Sequence, residues 1–328
     1  VKAFHRLRRP ALLLACAGLL IGAGVVGWTG AGQVWASLSE IGLPGFLLLC
    51  VATLAYQLVL AGAWAGLTPG GERRFILFYW ARLVRDAVNQ SLPLTPLAGV
   101  AAGARVLAVH GVPATRATAA AAVDASVELF AQIAFSGIGA VLALEMLAGA
   151  AEADGVGTMF ALALGILAAA AVAVAAGPKL GLRAIERFGA RLHPSAAVGA
   201  AALKAEIDAL YRRRPAVMLC FTLHLASWFL GAAWSMLALH MLGVEVDFRV
   251  VVALEALICA SKVAAFVIPY GFGVQEGAYA VLAPLFGVAA RTGVALSLLR
   301  RARDLALGLP IVALWQAGEA RRLQQRQT

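Results

Sequence analysis

Six apolar stretches, at about residues 11–28, 43–67, 117–148, 157–177, 216–242 and 291–316, are each long enough to cross a lipid bilayer as a helix, which takes roughly 20 residues. A chain built this way has few folds open to it. In hydrocarbon every backbone N–H and C=O must be paired inside its own segment or against protein. The composition agrees, with 62% of residues hydrophobic and 13% charged and a mean hydropathy of +0.86. These values define an all-α polytopic membrane protein and exclude a soluble enzyme or domain. The formal net charge of +10 therefore points to anionic lipid head groups, with no nucleic-acid partner expected. The four cysteines, Cys16, Cys50, Cys220 and Cys259, lie in apolar stretches without a metal or redox spacing, and read as small packing residues. No cofactor and no metal site is expected.

Positive charge is distributed unevenly over the connections. Lys and Arg number four in residues 1–10, none in 29–42, two in 68–74, none in 149–156, eight in 178–215, one in 243–249 and three after residue 316. The basic connections mark the cytoplasmic side, so both termini are expected there, with the first apolar run retained as an uncleaved helix. Parity then constrains the two remaining segments, 75–112 and 250–290. The first must begin and end inside, the second must begin and end outside. Pro93, Pro96 and Pro269 fall near their middles, where a helix must stop. Each segment reads as a re-entrant helical hairpin, although each is also long enough for a pair of short spans. The expected whole is a single transmembrane domain over residues 1–328, with half repeats at about 11–148 and 157–316 of opposite orientation.

Charges inside apolar segments cost about 3 kcal/mol each when they face lipid, so they face a cavity or one another. Arg82, Arg85, Asp86 and Asn89 recur at offsets of three, four and seven and share one helical face leading to Pro93. Asp124, Glu128 and Gln132 stack at intervals of four on the following helix. The second half repeats the theme with Glu255 and Lys262, with Glu276 after the break at Pro269, and with Arg300, Arg301, Arg303 and Asp304 on the last helix. Such sets tie helices together as ion pairs or hold a ligand; guanidinium groups grip phosphate or carboxylate through two parallel hydrogen bonds. His224, inside a span near Trp228, reads as a packed or hydrogen-bonded histidine in preference to a proton relay. Residues 178–215 read as an amphipathic helix at the inner membrane surface, or as topology-setting charge alone.

The segment Asn89…Leu92-Pro93…Gly99, the pair Asp124 and Glu128, the segment Pro269-Tyr-Gly-Phe-Gly-Val-Gln-Glu-Gly277 and the charged last helix with Arg303 and Asp304 resemble the lysylphosphatidylglycerol synthase transmembrane-region, or flippase-like, membrane proteins. Within that family the hopanoid-associated HpnL-type members look most similar. The second segment departs from the family's Pro-Gly-Gly-x-Gly-x-Arg-Glu-Gly at Tyr270 and Gln275, and the first departs further at Leu97 and Ala98. The resemblance implies a lipid translocase of a bacterial inner membrane, moving a hopanoid or another lipid or lipid-linked head group that is anionic or polar. Two other classes remain open from the residues: a membrane enzyme that modifies or glycosylates a lipid, and an accessory subunit of lipid-biosynthesis enzymes. Homo-oligomerisation is equally open. The residues expected to meet the lipid are Arg82, Arg85, Asp86, Asn89, Pro93, Asp124, Glu128, Pro269, Gly271, Gly273, Glu276, Arg303 and Asp304, with Glu276 expected to approach Asn89 and the arginines of the first hairpin.

Overall fold

The computed structural model describes residues 31–71, 74–91, 96–147, 165, 194–264 and 273–325. Among these residues there is no strand. The helices are α1 (Ala31–Leu67), α2 (Phe75–Ser91), α3 (Pro96–Val109), α4 (Ala114–Leu147), α5 (Pro194–Arg212), α6 (Arg214–Met241), α7 (Phe248–Ala264), α8 (Val274–Leu282), continued by a 3-10 turn at Ala283–Phe286, and α9 (Ala290–Gln325). The expected spans 11–28 and, apart from Gly165, 157–177 lie outside the described residues, as do Pro93, Pro269, Gly271 and the 178–193 part of the basic connection.

Among the described residues three helices are long and apolar enough to cross a membrane: Ile41–Leu67, Ala114–Leu147 and Arg214–Met241. Helix α9 is long enough, at 36 residues, but less apolar, because Arg300, Arg301, Arg303 and Asp304 interrupt it. Leu43, Leu47, Val51 and Leu58 on α1, Val141 and Leu144 on α4, and Leu305, Leu309 and Leu314 on α9 are exposed. Apolar outward faces of this kind are stable against lipid chains and unstable against water. Local signals set the helix ends. Gly42 takes φ +61° and kinks α1 two residues before Pro44, and Gly273, at φ +75°, caps α8, a conformation that only glycine adopts without strain.

Helices α2 and α3 form an antiparallel pair whose open ends are adjacent. At the base Arg74 Nη2 donates to the carbonyl of His110 at 2.7 Å. Near the tip the Gly99 N–H donates to Asn89 Oδ1 at 3.1 Å. The close approach depends on Gly99, where an added Cβ would lie 2.2 Å from Asn89 Oδ1 and 2.4 Å from the Arg85 carbonyl. Asn89 is thus a strap across the first hairpin. Helices α7 and α8 pair in the same way, with the Tyr279 hydroxyl donating to Glu255 at 2.7 Å. The four limbs are 17, 14, 17 and 9 residues long, against the roughly 20 residues of a typical crossing helix.

The two halves pack by one rule. Helix α1 packs on its counterpart α6; α4 packs on α7 as α9 packs on α2; α4 packs on α6 as α9 packs on α1; and α3 packs on α4 as α8 packs on α9. The hairpins open from opposite ends of the bundle. The base of the first, at Arg74 and His110, shares its end with Arg322, which approaches His110, and with Arg213, which donates to the carbonyl of Leu67. The base of the second lies where Arg249 meets Glu145 at 2.9 Å. Each hairpin has its own apolar core, one including Phe78, Val84 and Leu107, the other Val251, Leu254 and Leu296. The described part of the 178–215 connection, α5, packs on α4 and buries Ile207 and Leu210 in the first core.

Gly139 of α4 marks the closest approach to α7, since a Cβ there would fall 2.0 Å from Ala256 Cβ, whereas one at Gly137 would meet nothing within 4 Å. Gly139→Ala is expected to destabilise by about 1–3 kcal/mol through overpacking. Gly137→Ala should leave stability unchanged or raise it by up to about 1 kcal/mol. Thermal unfolding in detergent checks the pair, and equal midpoints for both variants would contradict the packing.

Candidate functional site: two buried sets of charges

On α2, Arg82, Arg85 and Asp86 fall on one face, and on α4 Asp124 and Glu128 stack one turn apart. The side chains join into a line of alternating charge. Asp86 meets Arg82 Nε at 3.1 Å; Arg82 grips Glu128 with both terminal nitrogens, at 3.0 and 2.7 Å; Glu128 meets Arg85 at 2.5 Å; and Arg85 meets Asp124 at 2.5 Å. The last link is His224 of α6, whose Nε2 lies 3.0 Å from Asp124 Oδ1. Gln57 of α1 closes the other end by donating to Asp86 at 2.7 Å. Four helices therefore meet in one hydrogen-bonded line. Arg85, Asp124 and His224 each stand ten residues after the first residue of their helices, Phe75, Ala114 and Arg214. That is ~15 Å, about half of a ~30 Å hydrocarbon core.

The second half carries its own set with the signs exchanged. Arg82 and Glu255 hold the same place in their limbs, seven residues after Phe75 and Phe248 respectively. Where Arg82 reaches acids on the helix after its hairpin, Glu255 reaches Arg300 on the helix after its own, at 2.7 Å. Arg300 also contacts Ser235 and lies 5.4 Å from the ring centre of Trp234. Glu276 pairs with Arg301. It also accepts the Gly273 N–H at 2.9 Å, which satisfies a free backbone donor at the start of α8. Arg303 meets its neighbour Asp304 at 2.6 Å and stands 4.4 Å over Trp234, a cation–π distance.

The two sets differ in which members stay open. In the first, Asp124 and His224 are fully buried, whereas Asp86 and Glu128 keep 15% and 23% of their side-chain surface. In the second, Glu255, Glu276 and Arg303 are buried, whereas Arg300 and Arg301 keep 18% and 20% and Asp304 keeps 25%.

Of the residues singled out from sequence, Arg82, Arg85, Asp86, Asp124 and Glu128 come together in the first set, and Gly273 and Glu276 meet in the second. Asn89 lies on the hairpin but straps it instead of joining the charges. Glu276 has Gly273, Ser297 and Arg301 as its hydrogen-bond partners instead of Asn89 or the arginines of α2, because Arg82 and Arg85 are engaged by the acids of α4. His224 is hydrogen-bonded, as expected, but to Asp124, while the neighbouring Trp228 stacks on Phe135. Gln57, Trp234, Ser235 and Tyr279 join the network without any sequence signal, being neutral side chains at positions with no pattern. The ligand atoms of Asp124, Cys220 and His224 lie within 4.8 Å of one another. They suit a cation poorly, since Arg85 and Arg82 stand 2.5 and 3.5 Å from the same carboxylate.

The chain belongs to the family described as the lysylphosphatidylglycerol synthase TM region, whose model matches residues 15–311. No curated protein and no solved structure matches it.

Breaking the first line at one member strands a buried charge. Arg85→Ala leaves Asp124 short of its nearest cation and is expected to cost about 3–5 kcal/mol. Removing Arg85 and Asp124 together should cost less than the sum of the single changes, with a coupling of about 0.5–3 kcal/mol. Denaturation in detergent micelles measures all three variants, and additive losses would contradict the pairing.

Proposed function

We propose that the protein is a flippase-like translocase that carries a polar lipid head group across a bacterial cytoplasmic membrane, with both hairpins re-entrant and both termini cytoplasmic. What carries this reading is the pair of charged sets at mid-bundle depth, each seated on a hairpin and each hairpin opening from the opposite end. A head group crossing a bilayer needs a polar stopping point near the middle that is reached first from one face and then from the other. Two half repeats of opposite orientation supply this by exchanging roles. The orientation is supported by Arg74, Arg105, Arg116, Arg213, Arg321 and Arg322 at the end where the first hairpin opens, against Arg249 and Arg291 at the other.

The partly open groups indicate what the head group carries. Arg300 and Arg301 face the opening of the second set and suit a phosphate, which two guanidiniums bind through parallel charge-assisted hydrogen bonds. Asp86 and Glu128 face the opening of the first set and suit hydroxyl or ammonium donors. In the empty state the carboxylates neutralise the arginines, and a phosphate takes their place. Hopanoid-linked lipids are the first to test because of the likeness to HpnL-type proteins, followed by common phospholipids.

Glu276→Gln tests the reading. The amide oxygen keeps an acceptor for the Gly273 N–H, so α8 should still start correctly and the protein should remain folded. The carboxylate that competes with phosphate for Arg301 is lost. Lipid movement in reconstituted vesicles, followed with a leaflet-selective quencher, is expected to change at least tenfold in rate or in apparent affinity. Unchanged movement with unchanged folding would reduce the Glu276–Arg301 pair to a structural tie.

A further inference from the structure

The first line of charges runs acid, base, acid, base, acid: Asp86, Arg82, Glu128, Arg85, Asp124. Three carboxylates face two guanidiniums, so the five side chains carry one negative charge in excess, and the line ends at Asp124, which is fully buried. The next member is His224, also fully buried, with Nε2 3.0 Å from Asp124 Oδ1. Its other ring nitrogen, Nδ1, is buried without a hydrogen-bond partner. A proton can therefore arrive at or leave Nδ1 without breaking any bond in the line.

We propose that His224 is the proton site that couples lipid movement to a proton gradient, an inference that rests on the translocase reading. With a proton on Nδ1 the line has three positive and three negative members and is neutral. Without it, the line carries one net negative charge in a region of low dielectric, where unbalanced charge is costly. An anionic head group meets a neutral line in the first state and a repulsive one in the second. By linkage the head group raises proton occupancy by the factor by which the proton favours the head group. The proton comes from water on one side, forming the Nδ1–H bond, and returns to water on the other after the head group has passed.

The groups facing His224 are consistent with this role. From α4 it meets Asp124, with Glu128 one turn further along; from α2 the arginines Arg82 and Arg85 reach Asp124. On its own helix Cys220 lies 3.7 Å from Asp124. Helix α1 contributes Gln57 and Tyr56, both uncharged, beside Asp86 at the far end of the line. The five histidines of the chain are His5, His110, His193, His224 and His240. Among the three in described residues, His224 alone is fully buried against a carboxylate; His240 pairs with Glu245 at the exposed surface.

Two measurements test the proposal. In nanodiscs of phosphatidylethanolamine and phosphatidylglycerol, 15N-histidine NMR at neutral pH should show one imidazole, absent from His224→Gln, with both ring nitrogens at imidazolium shifts. A neutral His224 signal would overturn the proton assignment whatever the transport result. In vesicles of the same lipids containing fluorescent phosphatidylglycerol, movement toward the alkaline side should be accelerated at least fivefold by a gradient of one pH unit and slowed when the gradient is reversed. His224→Gln should abolish this dependence and His240→Gln should preserve it. Wild-type movement that ignores the gradient would overturn the coupling and leave the translocase reading standing. No wild-type movement under any gradient would overturn both.

Discussion

Asp124 has no exposed surface and lies in a helix apolar enough to cross a bilayer, and a bare carboxylate there would cost several kilocalories per mole. Its partners are therefore obligatory. Arg85 supplies the first at 2.5 Å, which requires α2 to lie beside α4 with its polar face inward. Arg85 and Arg82 then need Glu128 and Asp86, and Asp86 draws in Gln57 of α1. Satisfying one buried acid thus fixes the relative placement of α1, α2, α4 and α6. The apolar cores set how tightly the helices pack, and the charges set which helices are neighbours.

The second half obeys the same constraint with the signs reversed. Glu255 stands where Arg82 stands, and Arg300 answers from α9 as Glu128 answers from α4. Either order pairs buried acids with guanidiniums, so two halves that pack alike are free to exchange the signs. The exchange has a chemical consequence: the members that reach the surface are acids alone in the first set and two guanidiniums beside Asp304 in the second. A bundle with identical halves would present the same charge at both openings and would discriminate only by sign.

Much of this arrangement was legible in the sequence because hydrocarbon leaves few alternatives. The helical class, the limits of α4 and α6 to within a few residues and the shared faces of Arg82 with Asp86 and of Asp124 with Glu128 follow from apolar runs and helical spacing. Partnership across helices did not follow. Whether Glu276 pairs with Arg301 or with Arg85 depends on the packing of α8 against α9, which is decided by Gly293, where an added Cβ would lie 2.8 Å from the Tyr279 carbonyl. Such close approach carries no periodic signal. The Asn89 Oδ1 bond to the Gly99 N–H across the hairpin was not legible for a related reason, since it depends on the close approach of α3 to α2. The matching positions of Arg82 and Glu255 were available from the sequence, had the two limbs been aligned from Phe75 and Phe248.

In the proposed function a lipid head group enters the interior and meets both sets of charges. A phospholipid with a photoactivatable group on its head, cross-linked in vesicles and mapped by mass spectrometry, tests this directly. Adducts are predicted on α2 and α4 around Asp86 and Glu128, and on α9 around Arg300 and Arg301. Adducts confined to the outward faces bearing Leu43, Leu47, Leu305 and Leu309 would contradict it.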